Sequence, residues 1–189
     1  MSSTNGVRLS GRKQGWPHWT TPEEVLSLVR QVGPISMVPF WNEQAITQPD
    51  VKLVDSSAPF DGLHESWKTV QKGLAFVNPP YAMTAAVVGK CKAEADAGVE
   101  IILLVAARTD SKWAHQCLDT ADAACFWKGR IKFGNPPPDS LGNAPSIASV
   151  LYYWGASRRL FLQVFQDRGF CLDLRQMRDR KSFPVRALP

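Results

Sequence analysis

Residues 100–106, EIILLVA, are apolar at every position after the first. A strand with one face in water alternates apolar and polar side chains, because successive residues point to opposite faces. A run without that alternation has to be buried on both faces, as in a sheet covered by helices on either side. This places the chain in the α/β class. The flanks agree: AMTAAVVGKCKAEADAG before the run has helical spacing with Gly98 as its stop, and RTDSKWAHQCLDTADA after it reads as loop and helix. The expectation is an α/β fold with a mostly parallel sheet flanked by helices.

The rest of the chain supplies the other elements. In WPHWTTPEEVLSLVRQVG, Thr21 reads as an N-cap and Pro22 as the first helical residue, with Glu23 and Glu24 in the first turn and Gly33 as the stop. PISMVPF reads as a short strand closed by Pro39, and VKLV (51–54) as a second strand ending at Asp55. PFDGLHESW reads as a polar turn entering a short helix, and LAFV (74–77) as a third strand. RIKF is expected as a strand, GNPPPDSLGNAP as a loop, SIASVLYYWG as a strand, ASRRLFLQVFQDRG as a helix and FCLDL as the last strand. With 189 residues and no internal repeat, the sequence predicts one domain over residues 16–174. A basic arm (1–15) precedes it and a basic tail (175–189) follows.

The net charge of +5 is concentrated in those ends. The first segment carries Arg8, Arg12 and Lys13 with no acid, and the last carries five basic residues against Asp179. Two readings stay open: arms that meet a polyanion, or solvated ends that serve solubility. The first fifteen residues lack an apolar core segment, so no secretory leader is expected, and no apolar run is long enough for a bilayer. Cys91, Cys117, Cys125 and Cys171 are scattered without CxxC spacing, which argues against structural zinc and fits free thiols in a reducing cytoplasm. His18, His64 and His115 show no ligand or triad spacing. No metal and no membrane partner is expected.

Chemistry concentrates where LAFV runs into Asn78-Pro79-Pro80-Tyr81. In parallel sheets, ligands bind at the carboxyl ends of the strands. Asn78, preceding a proline, is held extended and supplies a side-chain carbonyl. Pro79 and Pro80 have no amide hydrogens and present carbonyl oxygens alone. Two acceptors converging on a planar amine draw its nitrogen toward tetrahedral geometry and free a lone pair for attack. Tyr81 adds a flat face for the ring that bears the amine. The plain alternative is a Pro-Pro turn beside an exposed tyrosine. Adenine N6, cytosine N4, guanine N2 and a glutamine amide all present such a nitrogen.

The stretch resembles the catalytic motif of the amino-methyltransferases, which methylate exocyclic amines with S-adenosyl-L-methionine. The order of WTTP, DGL…W, NPPY, RTDSKW, GRIKF and NAP further resembles the phage-type DNA N-6-adenine methyltransferases (Dam-like) over roughly residues 16–155. That resemblance implies a Rossmann-like methyltransferase sheet, methyl transfer to adenine N6 of a flipped-out base, DNA as partner, and the cytoplasm of a bacterial host cell, with phage origin left open. It assigns Asn78, Pro79, Pro80 and Tyr81 to catalysis. It assigns Trp19, Thr21, Pro22 and Asp61 to the cofactor pocket, to which Pro39, Phe40, Asn42 and Asp55 are added as candidates. Arg130, Lys132 and Phe133, in GRIKF, match a segment bordering the target strand, and Asn135, in the proline loop that follows, is added with Arg130 and Lys132 as a candidate contact to the flanking DNA. Bland roles stand beside these: Trp19 as a core aromatic, Thr21 as a cap, Asp55 as a turn former, Lys132 as an edge-strand residue.

One position departs from the pattern. Such enzymes carry an acid at the end of the first strand, where this chain has Val38 before Pro39 and Phe40. A carboxylate there would pair with the cationic end of the cofactor, a charged contact of roughly 1.5–3 kcal/mol. Its loss corresponds to roughly one or two decades of affinity. Either Asp55 or Asp61 compensates, or the chain is a non-catalytic DNA-binding relic of the fold. The chain also lacks a GxGxxG fingerprint.

Overall fold

The computed structural model describes residues 20–40, 47, 61–69, 73–134 and 148–181. Within these the strands are β1 (Ile35–Met37), β2 (Leu74–Val77), β3 (Glu100–Ala106), β4 (Ala123–Trp127), β5 (Ser149–Trp154) and β6 (Gly169–Asp173). The helices are α1 (Glu23–Val32), α2 (Asp61–His64), α3 (Thr84–Asp96), α4 (Lys112–Thr120), α5 (Arg158–Phe165) and α6 (Leu174–Lys181). The strands form one sheet in the order β1-β2-β3-β5-β4-β6.

The uninterrupted apolar pattern of β3 has a direct cause in this layering. Ile102 and Leu104 point into a core shared with Val25, Leu26 and Val29 of α1 and Phe161 and Phe165 of α5. Ile101, Leu103 and Val105 point into a second core with Val87, Val88 and Cys91 of α3, Cys117 of α4 and Leu174 of α6. Each such side chain, fully withdrawn from water, contributes about 1.5–3 kcal/mol. A polar residue anywhere from 101 to 105 would therefore meet one dry face or the other.

Strand direction divides the sheet. β1, β2 and β3 run parallel. β5 enters antiparallel between β3 and β4, and β6 pairs antiparallel with β4. The expected mostly parallel sheet is thus realised in one half, and the architecture is a mixed α/β sheet flanked by helices. β5 is buried at every position and reads like a parallel strand, because the apolar pattern reports burial and not direction.

Two further expectations change. RIKF does not form a strand: the strand is Ala123–Trp127, and residues 131–134 contribute only an isolated bridge from Gly134 to Thr20. Ala123 and Ala124 face Tyr153 and Tyr152 across β5, so small side chains fit beside large ones in a segment whose alanines read as helix. The basic tail expected from residue 175 begins as a helix. Arg175 and Arg178 of α6 pair with Asp122, and Arg178 donates to the Ala121 carbonyl at 2.6 Å. The expected strand at 51–54, the loop at 135–145, the arm at 1–15 and residues 182–189 lie outside the described residues.

Candidate active site

The parallel half of the sheet brings the carboxyl ends of β1, β2 and β3 to one rim, where Val38–Phe40, Asn78–Tyr81 and Ala107–Ser111 follow the strands. Along β2, Leu74 and Phe76 face α1, while Ala75 and Val77 face α3. Carried one residue further, that alternation turns Asn78 toward α1. There its Nδ2 donates to the Thr21 Oγ1 at 3.1 Å. Asn78 is half-buried and Thr21 is buried. The N-cap role expected of Thr21 is not taken up. Pro22 occupies the cap position with extended backbone, no side chain caps the helix, and the Pro22 carbonyl accepts from Val25 and Leu26.

After Asn78 the chain turns tightly into α3. The Pro80 carbonyl accepts from the Met83 N–H at 2.9 Å, and the Tyr81 carbonyl accepts from the Thr84 hydroxyl at 2.9 Å. Among the described residues no hydrogen bond reaches the Pro79 carbonyl. Pro79 is buried, and the Tyr81 side of the turn opens outward, the tyrosine being 52% exposed. Desolvation raises the pKa of the Tyr81 phenol above its usual value, which keeps the ring neutral.

At the neighbouring strand end, Val38 lies in the core beside α1, Pro39 is buried and Phe40 is half-buried. α2 is pressed directly onto this point. A Cβ on Gly62 would come within 2.2 Å of the Pro39 carbonyl oxygen and 3.2 Å of the Phe40 ring, so only glycine permits the approach. Trp67, wholly buried, holds the segment down. Its indole N–H donates to the Gly62 carbonyl at 2.9 Å, and its backbone N–H donates to the Glu94 carboxylate at 3.1 Å. Glu94 pairs in turn with Lys90 at 2.7 Å, and the Lys90 ammonium lies 5.8 Å from the Trp67 ring centre. This explains the DGL…W spacing: the tryptophan ties the glycine turn to the helix that follows NPPY. Glu94 was invisible to sequence reasoning; its one signal was an acid on the apolar side of α3, beside Cys91 and Val87.

Beyond β4, which points the same way as β3, the chain alternates. Lys128, Arg130 and Lys132 are exposed, while Ile131 is buried and Phe133 packs partly against the core. Among the described residues none of these three cations has an ion pair. Lys128 joins the two basic residues expected from the sequence. Gly134 closes the segment by a double hydrogen bond with Thr20, at 3.0 and 2.9 Å, beside the Thr21 that holds Asn78. Candidate residues Trp19, Asn42, Asp55 and Asn135 lie outside the described residues, and Asp61 is placed by its backbone as the first residue of α2.

A separate cavity of about 340 Å³ opens at the opposite rim, where β5 ends, lined by Ala156, Ser157, Arg158, Arg159, Leu160 and Arg175. Arg158 is engaged by Asp173 and Arg175 by Asp122, so two of its three guanidiniums are already neutralised. It is remote from Asn78 and belongs to the packing of α5 and α6.

Among the described residues, no helix is long and apolar enough to cross a membrane, and no group of three or more His, Cys, Asp or Glu could hold a metal ion. No curated protein and no solved structure matches the chain. The profile of the family described as DNA N-6-adenine-methyltransferase (Dam) matches residues 12–164, which include the Thr21–Asn78 contact, the NPPY turn, the Gly62 seat and the basic segment after β4. The chain belongs to the Dam family of DNA N-6-adenine-methyltransferases.

Proposed function

We propose that this chain transfers a methyl group from S-adenosyl-L-methionine to N6 of an adenine swung out of DNA, with Asn78 as the residue that receives the amine. The observation that carries the reading is the half-buried Asn78 at the carboxyl end of β2, its Nδ2 engaged by Thr21 and the exposed Tyr81 three residues on.

The chain's own groups account for the chemistry. Asn78 Oδ1 and the Pro79 carbonyl accept the two N6–H bonds of adenine. That withdraws the nitrogen lone pair from the ring and aims it outward. Tyr81, neutral and exposed, stacks on the base and replaces part of the stacking lost on flipping. As the nitrogen gains its new bond to carbon it gives up one proton to water, so no strong base is required. When bound, the cofactor would supply an electrophilic methyl group on a cationic sulfur, the sulfur–methyl bond breaking as the new bond forms and its electron pair staying on a neutral thioether.

The residues present fit that cofactor. Phe40 offers an apolar face at the end of β1, and the Gly62 seat carries Asp61 to the same rim. Val38 is committed to the core, so Asp61 is the residue proposed to supply a carboxylate for the cofactor's cationic end. Trp19, Pro22, Pro39, Asn42 and Asp55 complete the proposed pocket, while the Thr21 hydroxyl beside it is engaged by Asn78. Lys128, Arg130, Lys132 and Asn135 are proposed to follow the DNA strand beside the flipped base through phosphate contacts, which position without reading sequence.

Methylation-aware sequencing of DNA from cells expressing the chain tests the reading. N6-methyladenine at a defined sequence is expected. Methyl label that enters RNA, cytosine N4 or protein glutamine instead would contradict it, and competition by DNA, RNA and protein extract in one transfer assay separates those cases.

A further inference from the structure

We infer that Thr21 is a positioning residue for Asn78: its hydroxyl accepts from the Asn78 Nδ2 and holds the amide in place, with Oδ1 left for the incoming base. The inference rests on the proposed reading of Asn78. An amide carries its oxygen and its NH2 on opposite arms, and the two differ in kind, since one accepts and the other donates. Turned the wrong way, Asn78 would present two N–H bonds to an amine that also donates. Its carbonyl would then be lost to the reaction. With Nδ2 held on Thr21 at 3.1 Å, Oδ1 is the atom left for the substrate.

The placement of Thr21 is firm enough for this role. Thr21 is 6% exposed, and Pro22 follows with its carbonyl engaged by the first turn of α1. Thr20, immediately before, exchanges two backbone hydrogen bonds with Gly134. A Cβ on Gly134 would meet the Thr20 Oγ1 at 2.6 Å, so the two segments joined by this bridge are in close contact. The amide is therefore anchored to a segment pinned on one side by α1 and on the other by the end of the basic 128–134 stretch. Misplacing a reacting group by a small distance costs up to about a hundredfold in rate.

The test compares Thr21→Val, which keeps shape and removes the hydroxyl, with Thr21→Ser, which restores it. Steady-state kinetics should show kcat lowered about tenfold or more in Thr21→Val, with KM for DNA and cofactor binding by calorimetry unchanged. Thr21→Ser should recover most of the rate. If Thr21→Val does not fold, as judged by its melting curve, Thr21→Ala carries the same expectation. Unchanged kcat in the hydroxyl-free variant overturns the inference, and so does weakened cofactor binding with normal kcat, which would make Thr21 a cofactor contact. These outcomes are distinct from failure of the underlying reading, which would show as methyl transfer surviving in Asn78→Ala.

Discussion

Glu94 of α3 accepts the backbone N–H of Trp67 at 3.1 Å, across 27 residues of sequence, while its other oxygen pairs with Lys90. Both charged side chains are largely withdrawn from water, so the pair is one whose rupture strands a buried charge. Glu94→Ala should therefore lower stability by about 3 kcal/mol, read by urea denaturation. A loss within 0.5 kcal/mol, roughly the range of a surface substitution, would show that the Trp67 segment is not held by this carboxylate.

The Gly62 seat leads to a second expectation, about cofactor affinity. Gly62→Ala places a methyl against the Pro39 carbonyl, which is backbone and cannot step aside, so α2 must lift from the end of β1. Asp61→Asn leaves the seat intact and removes only charge. Both should weaken S-adenosyl-L-methionine binding by about tenfold or more in calorimetry, and only Gly62→Ala should also lower the melting temperature. Normal affinity in Asp61→Asn would remove Asp61 from the proposed pocket.

Lys128, Arg130 and Lys132 are exposed and free of ion pairs among the described residues. Replacing Arg130 and Lys132 by Gln should weaken DNA binding and reduce the salt slope of log Kobs by about 2, roughly one unit per phosphate contact. kcat at saturating DNA should hold. A salt slope identical to that of the unaltered protein would place the DNA elsewhere.

What the sequence disclosed follows the range of the interactions involved. LAFV followed by NPPY was legible because a strand end and its motif are adjacent letters, and β2 falls at the expected Leu74–Val77. The direction of β5 was not legible, because burial on both faces writes the same apolar run in either direction. β4 was hidden by Ala123 and Ala124, whose small side chains answer Tyr153 and Tyr152 on the neighbouring strand and not any local preference. Thr21 before Pro-Glu-Glu carries every local mark of a helix cap, yet its hydroxyl serves Asn78, 57 positions away. Arg175 and Arg178 looked like part of a free arm because their partner, Asp122, is equally remote.

Alkaline pH should destabilise the fold through its buried thiols. Burial in the core shared with β3 pushes the Cys117 thiol of α4 from its usual 9.0 up to about 12, and Cys91 of α3 is raised as well. A raised folded pKa means that the folded chain keeps a proton the unfolded chain has already lost. The associated stability is complete below about pH 9 and is lost as pH rises toward 12, by up to about 1.4 kcal/mol per pH unit per thiol. Urea titrations should show this fall, and Cys117→Ala should make it shallower. An unchanged slope in that variant would assign the alkaline loss to other groups.

The most direct measurement is methyl transfer by Asn78→Ala. Purified protein, isotopically labelled S-adenosyl-L-methionine and DNA free of N6-methyladenine are sufficient, with calorimetry and a melting curve run on the same sample. The account predicts that label incorporation falls by at least about a hundredfold while the fold and cofactor binding are retained. Incorporation at the rate of the unaltered protein would contradict it, because the amine would then be received by some group other than the side chain at the end of β2.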